Sequence, residues 1–168
     1  MEGSPPPLEE SREPLTDQYG IRAGLVVAGV AIKLEIVLEG RISLEMPSEE
    51  DAICGIASLT LNDLVCSKLL ANSDRWNDDG VFNRDLIDLA HIPLTQTIWQ
   101  RALAKAEEAY GDAIRTDLGK ALERLQQREG WLERCRQVLA IEAPRAALWQ
   151  RLLNLQRLAA APSAPARD

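Results

Sequence analysis

Aromatic side chains are scarce in this chain of 168 residues: one Phe, two Tyr and four Trp. A core built on ring packing is excluded, so Leu, Ile, Val and Ala must fill it. There is a single histidine, His91, and three cysteines, Cys54, Cys66 and Cys135, with no Cys-x-x-Cys pair. That set is too sparse for a structural zinc site or a disulfide framework. Buried thiols in a reducing cytoplasm are the expectation. No apolar run approaches the roughly 20 residues of a membrane span. Met1 is followed by an acidic, proline-rich stretch rather than by a signal peptide. The sequence therefore predicts a cytoplasmic protein with no membrane partner.

Positive charge is also short, and it is unevenly placed. The net charge is -7. Residues 1–112 hold 9 basic and 20 acidic side chains, whereas residues 113–158 hold 9 and 5. The front of the chain repels a polyanion, and the last helices are the better contact for one. That basic segment lacks aromatic interleaving in sequence, which argues against direct single-strand nucleic-acid binding.

Three stretches differ in pattern. Residues 1–20 carry Pro5, Pro6, Pro7 and Pro14 among acids and are expected to be disordered or loosely draped. Residues 21–58 read as a β segment. Ile21 to Val27 forms one run, Gly29 interrupts, and residues 31–38 alternate. Ile32, Leu34, Ile36 and Leu38 share one face there, while Lys33, Glu35 and Glu39 take the other, with Val37 as the exception. Ile42-Ser43-Leu44 reads as a short edge. So few strands make a weak sheet unless something packs on them. Residues 59–160 read as a helical domain of about six helices. Thr60 caps the first, and Asp63 suits its first turn. The second ends before Pro93, the third before Gly111, and the fourth runs near 113–128. Gly130 then separates a fifth from a sixth opening at Pro144. The fold class expected is α+β, a short N-terminal β segment followed by a helical bundle.

Two polar groups interrupt apolar helical patterns. Lys68, Asn72 and Arg75 lie at i, i+4 and i+7, one stripe of one helix. Asp85 and Asp88, next to Arg84, share a face of the following helix, while Leu86 and Leu89 point inward. Each group alone reads as a solvated face with weak ion pairs. Together, across a short loop, they suggest two helices sharing one polar cleft where phosphate and a hydroxyl could meet.

Lys68-Leu69-Leu70-Ala71-Asn72-x-x-Arg75 followed by Arg84-Asp85-x-x-Asp88-Leu89 resembles the paired C-terminal motifs of the AbiEii/AbiGii toxin nucleotidyltransferases. Ile32-Lys33-Leu34-Glu35-Ile36-Val37 is similar to the strand carrying that fold's third acidic residue. The resemblance covers roughly residues 21–110, so the β segment reads as part of a nucleotidyltransferase sheet. It implies transfer of a nucleotide from an NTP, with Mg2+, to an acceptor such as the 3′ end of a tRNA. It further implies a cognate antitoxin. Lys68 would contact the NTP phosphates, with Asn72 and Arg75 completing the nucleotide-binding stripe. Asp85 would be a catalytic or orienting carboxylate and Glu35 the third, metal-proximal acid. Arg84 and Asp88 would support them. Charge on a transferring phosphate needs cations, and a hydroxyl nucleophile needs a carboxylate or a metal.

One departure matters. Family members open with a Gly-Ser loop leading into a helix, then a strand with two acids one residue apart that hold Mg2+. Here Gly3-Ser4 runs into three prolines, and no Asp-x-Asp strand precedes residue 31. Glu35 alone is too few ligands for tight Mg2+ binding. The expectation is an N-terminally shortened chain, inactive by itself, for which the case of no cofactor stays open. The alternative is a non-catalytic helical protein-interaction module.

Overall fold

The structure, a computed structural model, describes residues 8–161. The chain divides into two compact units, Met1–Ser43 and Leu44–Asp168.

The first unit is a three-stranded antiparallel sheet in the order β1-β2-β3, with β1 at Leu8–Asp17, β2 at Gly20–Val27 and β3 at Val30–Val37. The last two strands are those expected from the alternation. The first corrects the expectation that residues 1–20 are loose; residues 1–7 lie outside the described range. Pro14 is compatible with β1 because β1 is an edge strand whose pairing is irregular between Glu10 and Arg12 and between Arg12 and Leu15. A residue without an N–H fits where the ladder is broken. Ala28 and Gly29 close the β2–β3 hairpin with φ of 50° and 78°, the left-handed pair that a two-residue turn requires.

Among the described residues the second unit holds a two-strand hairpin, β4 at Ala52–Ile53 and β5 at Ile56–Ala57, and six α-helices. The helices are α1 Leu61–Arg75, α2 Arg84–His91, α3 Gln96–Tyr110, α4 Ala113–Gln127, α5 Trp131–Val138 and α6 Arg145–Ala160. The α+β class and the six helices agree with the sequence pattern. Thr60 caps α1 by accepting from the Asp63 N–H at 3.2 Å, and Thr95 caps α3 through the Ile98 N–H. Gly111 ends α3 with φ 60°. The Ile42-Ser43-Leu44 edge does not form. The hairpin at 52–57, which alternation did not reveal, turns on Cys54 and Gly55, both left-handed. Segment 44–58 belongs with the helices rather than with the sheet, because Glu45 bonds to Asn62 and Arg101.

Helix α1 packs against α2, α3 and α4, and α6 closes against α2. The core is aliphatic, as the scarcity of rings requires: Leu69, Leu70, Leu86, Leu89, Ile114, Leu125, Leu148 and Leu152 are fully buried, joined by Trp99. No helix among the described residues is long and apolar enough to cross a membrane.

The cysteines correct one expectation. Cys66 and Cys135 are buried, but Cys54 is exposed at its hairpin turn. Burial pushes the Cys135 thiol up to about 11. The thiolate is the reactive form. At neutral pH, labelling with an alkylating reagent should modify Cys54 about a hundredfold faster than Cys135. Equal rates, followed by mass spectrometry of the two peptides, would contradict this burial.

Candidate functional site

The corner between α1 and α2 gathers the charged residues that the sequence singled out. Asp85, in the first turn of α2, is only 3% exposed. Its carboxylate accepts two bonds from the Arg75 guanidinium, Nε at 2.7 Å and a terminal nitrogen at 2.9 Å. This two-pronged match of fork and carboxylate is the strong form of an ion pair. It raises the Arg75 pKa further above its ordinary value, with the Asp85 hydrogen bond as the main cause. Lys68 reaches the same carboxylate at 3.6 Å and also donates to Asp88. Two cations from α1 thus meet two carboxylates from α2. Asn72, between Lys68 and Arg75 on the stripe, is buried, and its side-chain NH2 has no partner among the described residues. Arg84 is exposed.

The loop between the helices is built to place Asp85. Phe82 and Asn83 are successive left-handed residues, with φ of 53° and 51°. Left-handed backbone costs a side-chain-bearing residue roughly 1–2 kcal/mol, so something must hold it. The side-chain amide oxygen of the buried Asn83 accepts from the Trp131 indole N–H at 2.7 Å. Phe82 stacks on Trp131 with centroids 5.7 Å apart. Arg128 lies 4.1 Å from the Trp131 ring centre and donates to Asp79 at 2.7 Å. Arg124 bonds to Asp79 and Asn77. Both arginines lower the Asp79 pKa, Arg128 the more strongly. Lys120 sits over Trp76 and Arg134 over Phe82. The sequence reading that the basic segment lacks aromatic interleaving is corrected in space: its own Trp131 and the residues Trp76 and Phe82 lie against its cations. Arg124 and Arg128 serve to clamp that loop.

A second buried pair was missed. Asp63 has 0% exposure, and its carboxylate accepts from Lys105 on α3 and from the Glu45 N–H at 2.5 Å. Glu45 also accepts from Arg101 at 2.9 Å and Asn62 at 3.0 Å. In sequence Asp63 looked like an ordinary first-turn acid. Its partner Lys105 lies 42 residues away, beyond the reach of helical spacing.

Glu35 lies on β3 in the other unit. Lys33 sits 2.9 Å from it and Arg22, its cross-strand neighbour, 3.7 Å. Lys33 first, and then Arg22, hold its carboxyl below the usual glutamate range.

Among the described residues, no group of three or more His, Cys, Asp or Glu side chains could hold a metal ion. Asp85 and Asp88 are already matched by Arg75 and Lys68. These residues do not fit a Mg2+ site.

No curated protein and no solved structure matches the chain. A sequence family does, over residues 5–162: the AbiEii nucleotidyl transferase toxins of type IV toxin–antitoxin systems. Two-pronged Arg75–Asp85 pairing and Lys68 between Asp85 and Asp88 are the geometry behind the motif that suggested it, and the chain belongs to the AbiEii nucleotidyl transferase toxin family.

Proposed function

We propose that the α1–α2 corner holds the phosphates of an NTP in a nucleotidyl transfer to an acceptor such as the 3′ end of a tRNA, with a cognate antitoxin as partner. The observation that carries this reading is the fixed placement of Lys68. Asp85 is locked by Arg75 and so presents a rigid negative site 3.6 Å from the Lys68 ammonium. Asp88, more exposed than Asp85, is the exchangeable partner. A phosphate approaching from solvent replaces Asp88 at Lys68, while Asp85 keeps the ammonium in place. Asn72 offers an unused donor on the same stripe. Lys68 is then the phosphate contact and Asp85 an orienting carboxylate. Asn72 and Arg75 line the stripe, and Arg84 and Asp88 support it at its rim. Glu35 is the third acid by family resemblance. The toxin–antitoxin description of the family supports the antitoxin partner.

Mg2+ and NTP are the cofactor and substrate this reading calls for. The reading assigns phosphate contacts, but no group of side chains among the described residues could hold the metal, so we expect no nucleotide transfer from these 168 residues alone. Incubation with labelled NTPs and bulk tRNA checks this; robust metal-dependent labelling would overturn it. Lys68→Ala tests the phosphate contact. Its removal leaves Asp85 paired with Arg75 and leaves Asp88 facing water, so the stability cost stays below about 1 kcal/mol. Calorimetric titration with NTP should show affinity lower by roughly tenfold or more. Lost melting temperature with unchanged NTP affinity would make Lys68 structural. Failure of the unaltered chain to bind NTP would favour the non-catalytic interaction module.

A further inference from the structure

Strand β3 has β2 as its one neighbour among the described residues. All eight of its residues are exposed. The Leu38 N–H, just beyond the strand, donates to the Tyr19 carbonyl at 3.0 Å. Backbone groups alternate in direction along an antiparallel pair. Even-numbered positions therefore turn toward β2. The N–H and C=O groups of Ala31, Lys33, Glu35 and Val37 form the outer edge. An open edge of this kind is a template for another strand.

The side chains along that edge are nearly symmetric in chemistry about Leu34. Reading outward, Lys33 mirrors Glu35, Ile32 mirrors Ile36, Ala31 mirrors Val37 and Val30 mirrors Leu38. We propose that β3 pairs antiparallel with β3 of a second copy of this chain, Leu34 opposite Leu34 of the partner subunit. This register sets Lys33 opposite the partner's Glu35 and, by the two-fold, Glu35 opposite the partner's Lys33. On the other face, Ile32 meets the partner's Ile36. The interface is isologous and closes on itself. A slip of one residue mismatches the backbone groups and moves every side chain to the other face. A slip of two keeps the hydrogen bonds but sets Lys33 against the partner's Lys33, or Glu35 against the partner's Glu35. Like charges directly opposite oppose pairing, so charge selects the Leu34-centred register. The proposal uses no residue of the α1–α2 corner; Glu35, the third acid of the nucleotidyltransferase reading, is the one residue the two share, and the dimer is read by mass and exchange rather than by nucleotide binding.

Sedimentation equilibrium across a dilution series tests it. The unaltered chain should reach twice its 18.6 kDa mass. K33E alone and E35K alone each replace two attractive cross-strand pairs with two repulsive ones, and should weaken the dimer by roughly tenfold or more. The double variant K33E/E35K restores the pairing and should restore the dimer. A chain that stays monomeric throughout, or a dimer indifferent to the single reversals, overturns the proposal. Hydrogen exchange of the unaltered chain tests it without substitution. The amides of Ala31, Lys33, Glu35 and Val37 should exchange slowly when concentrated and quickly when dilute. Equally fast exchange at both concentrations also overturns it.

Discussion

Replacing Asp63 with alanine should lower the stability of the helical unit by about 3–4 kcal/mol, the loss expected when one partner of a buried ion pair is removed. Asp63 has no exposed surface, and its carboxylate is shared by the Lys105 ammonium and the Glu45 N–H. Without it, Lys105, itself mostly buried, is left with Glu45 at 4.0 Å among the described residues. The Glu45 N–H loses its acceptor as well. Denaturant unfolding followed by far-ultraviolet circular dichroism measures the change, and the melting midpoint should fall on the order of 10 °C. The double variant Asp63→Leu with Lys105→Met replaces the pair with apolar groups of similar size. It should lose less than Asp63→Ala alone, because a buried pair is often no better than packed hydrocarbon. A single variant within about 0.5 kcal/mol of the parent would mean that water reaches the pair.

Asp85→Ala should cost about 2–3 kcal/mol. The figure is below that for Asp63 because the Arg75 and Lys68 heads retain contact with water. Arg75 loses both bonds of its fork. Lys68 keeps Asp88 alone, and its ammonium can swing away from the stripe. NTP affinity should therefore fall along with stability. This separates Asp85 from Lys68, whose removal should weaken NTP binding at nearly constant stability. Arg75→Lys keeps the charge but not the fork, and should fall between the two in stability. Thermal melts paired with calorimetric NTP titrations measure both effects. If Asp85→Ala left NTP affinity unchanged while destabilising the unit, the orienting role would be lost and a structural ion pair would remain.

These two aspartates show what could be read from the chain. Both sit in the first turn of a helix, and both looked like ordinary dipole-stabilising acids. Asp85 was distinguished because Arg75 and Lys68 lie only 10 and 17 residues before it, across one short loop. Helical spacing alone put those two cations on one stripe. Asp63 was not distinguished, because its partner Lys105 is separated from it by another whole helix and a turn. Local periodicity contains no record of such a partner. The aromatic clamp failed to appear in sequence for the same reason: Trp76 and Phe82 come from the loop, Arg124, Arg128 and Trp131 from beyond it. Strand β1 was missed for a different reason. Proline and acid content signal weak local propensity, but an irregular edge strand needs few ladder bonds, and the neighbouring β2 supplies them.

By itself the sequence determined the α+β class, the six helices with the cap at Thr60, the aliphatic core faces and the stripe of Lys68, Asn72 and Arg75. Each follows from spacing within one element, where 3.6-residue and two-residue periods act over short distances. Tertiary structure alone decided which charges meet. It matched Arg75 to Asp85 and Lys105 to Asp63, exposed Cys54 while burying Cys135, and left the outer edge of β3 without a neighbour among the described residues. Ion pairing and burial depend on distances between elements, and those distances are set by how the helices pack, not by the order of residues within any one of them.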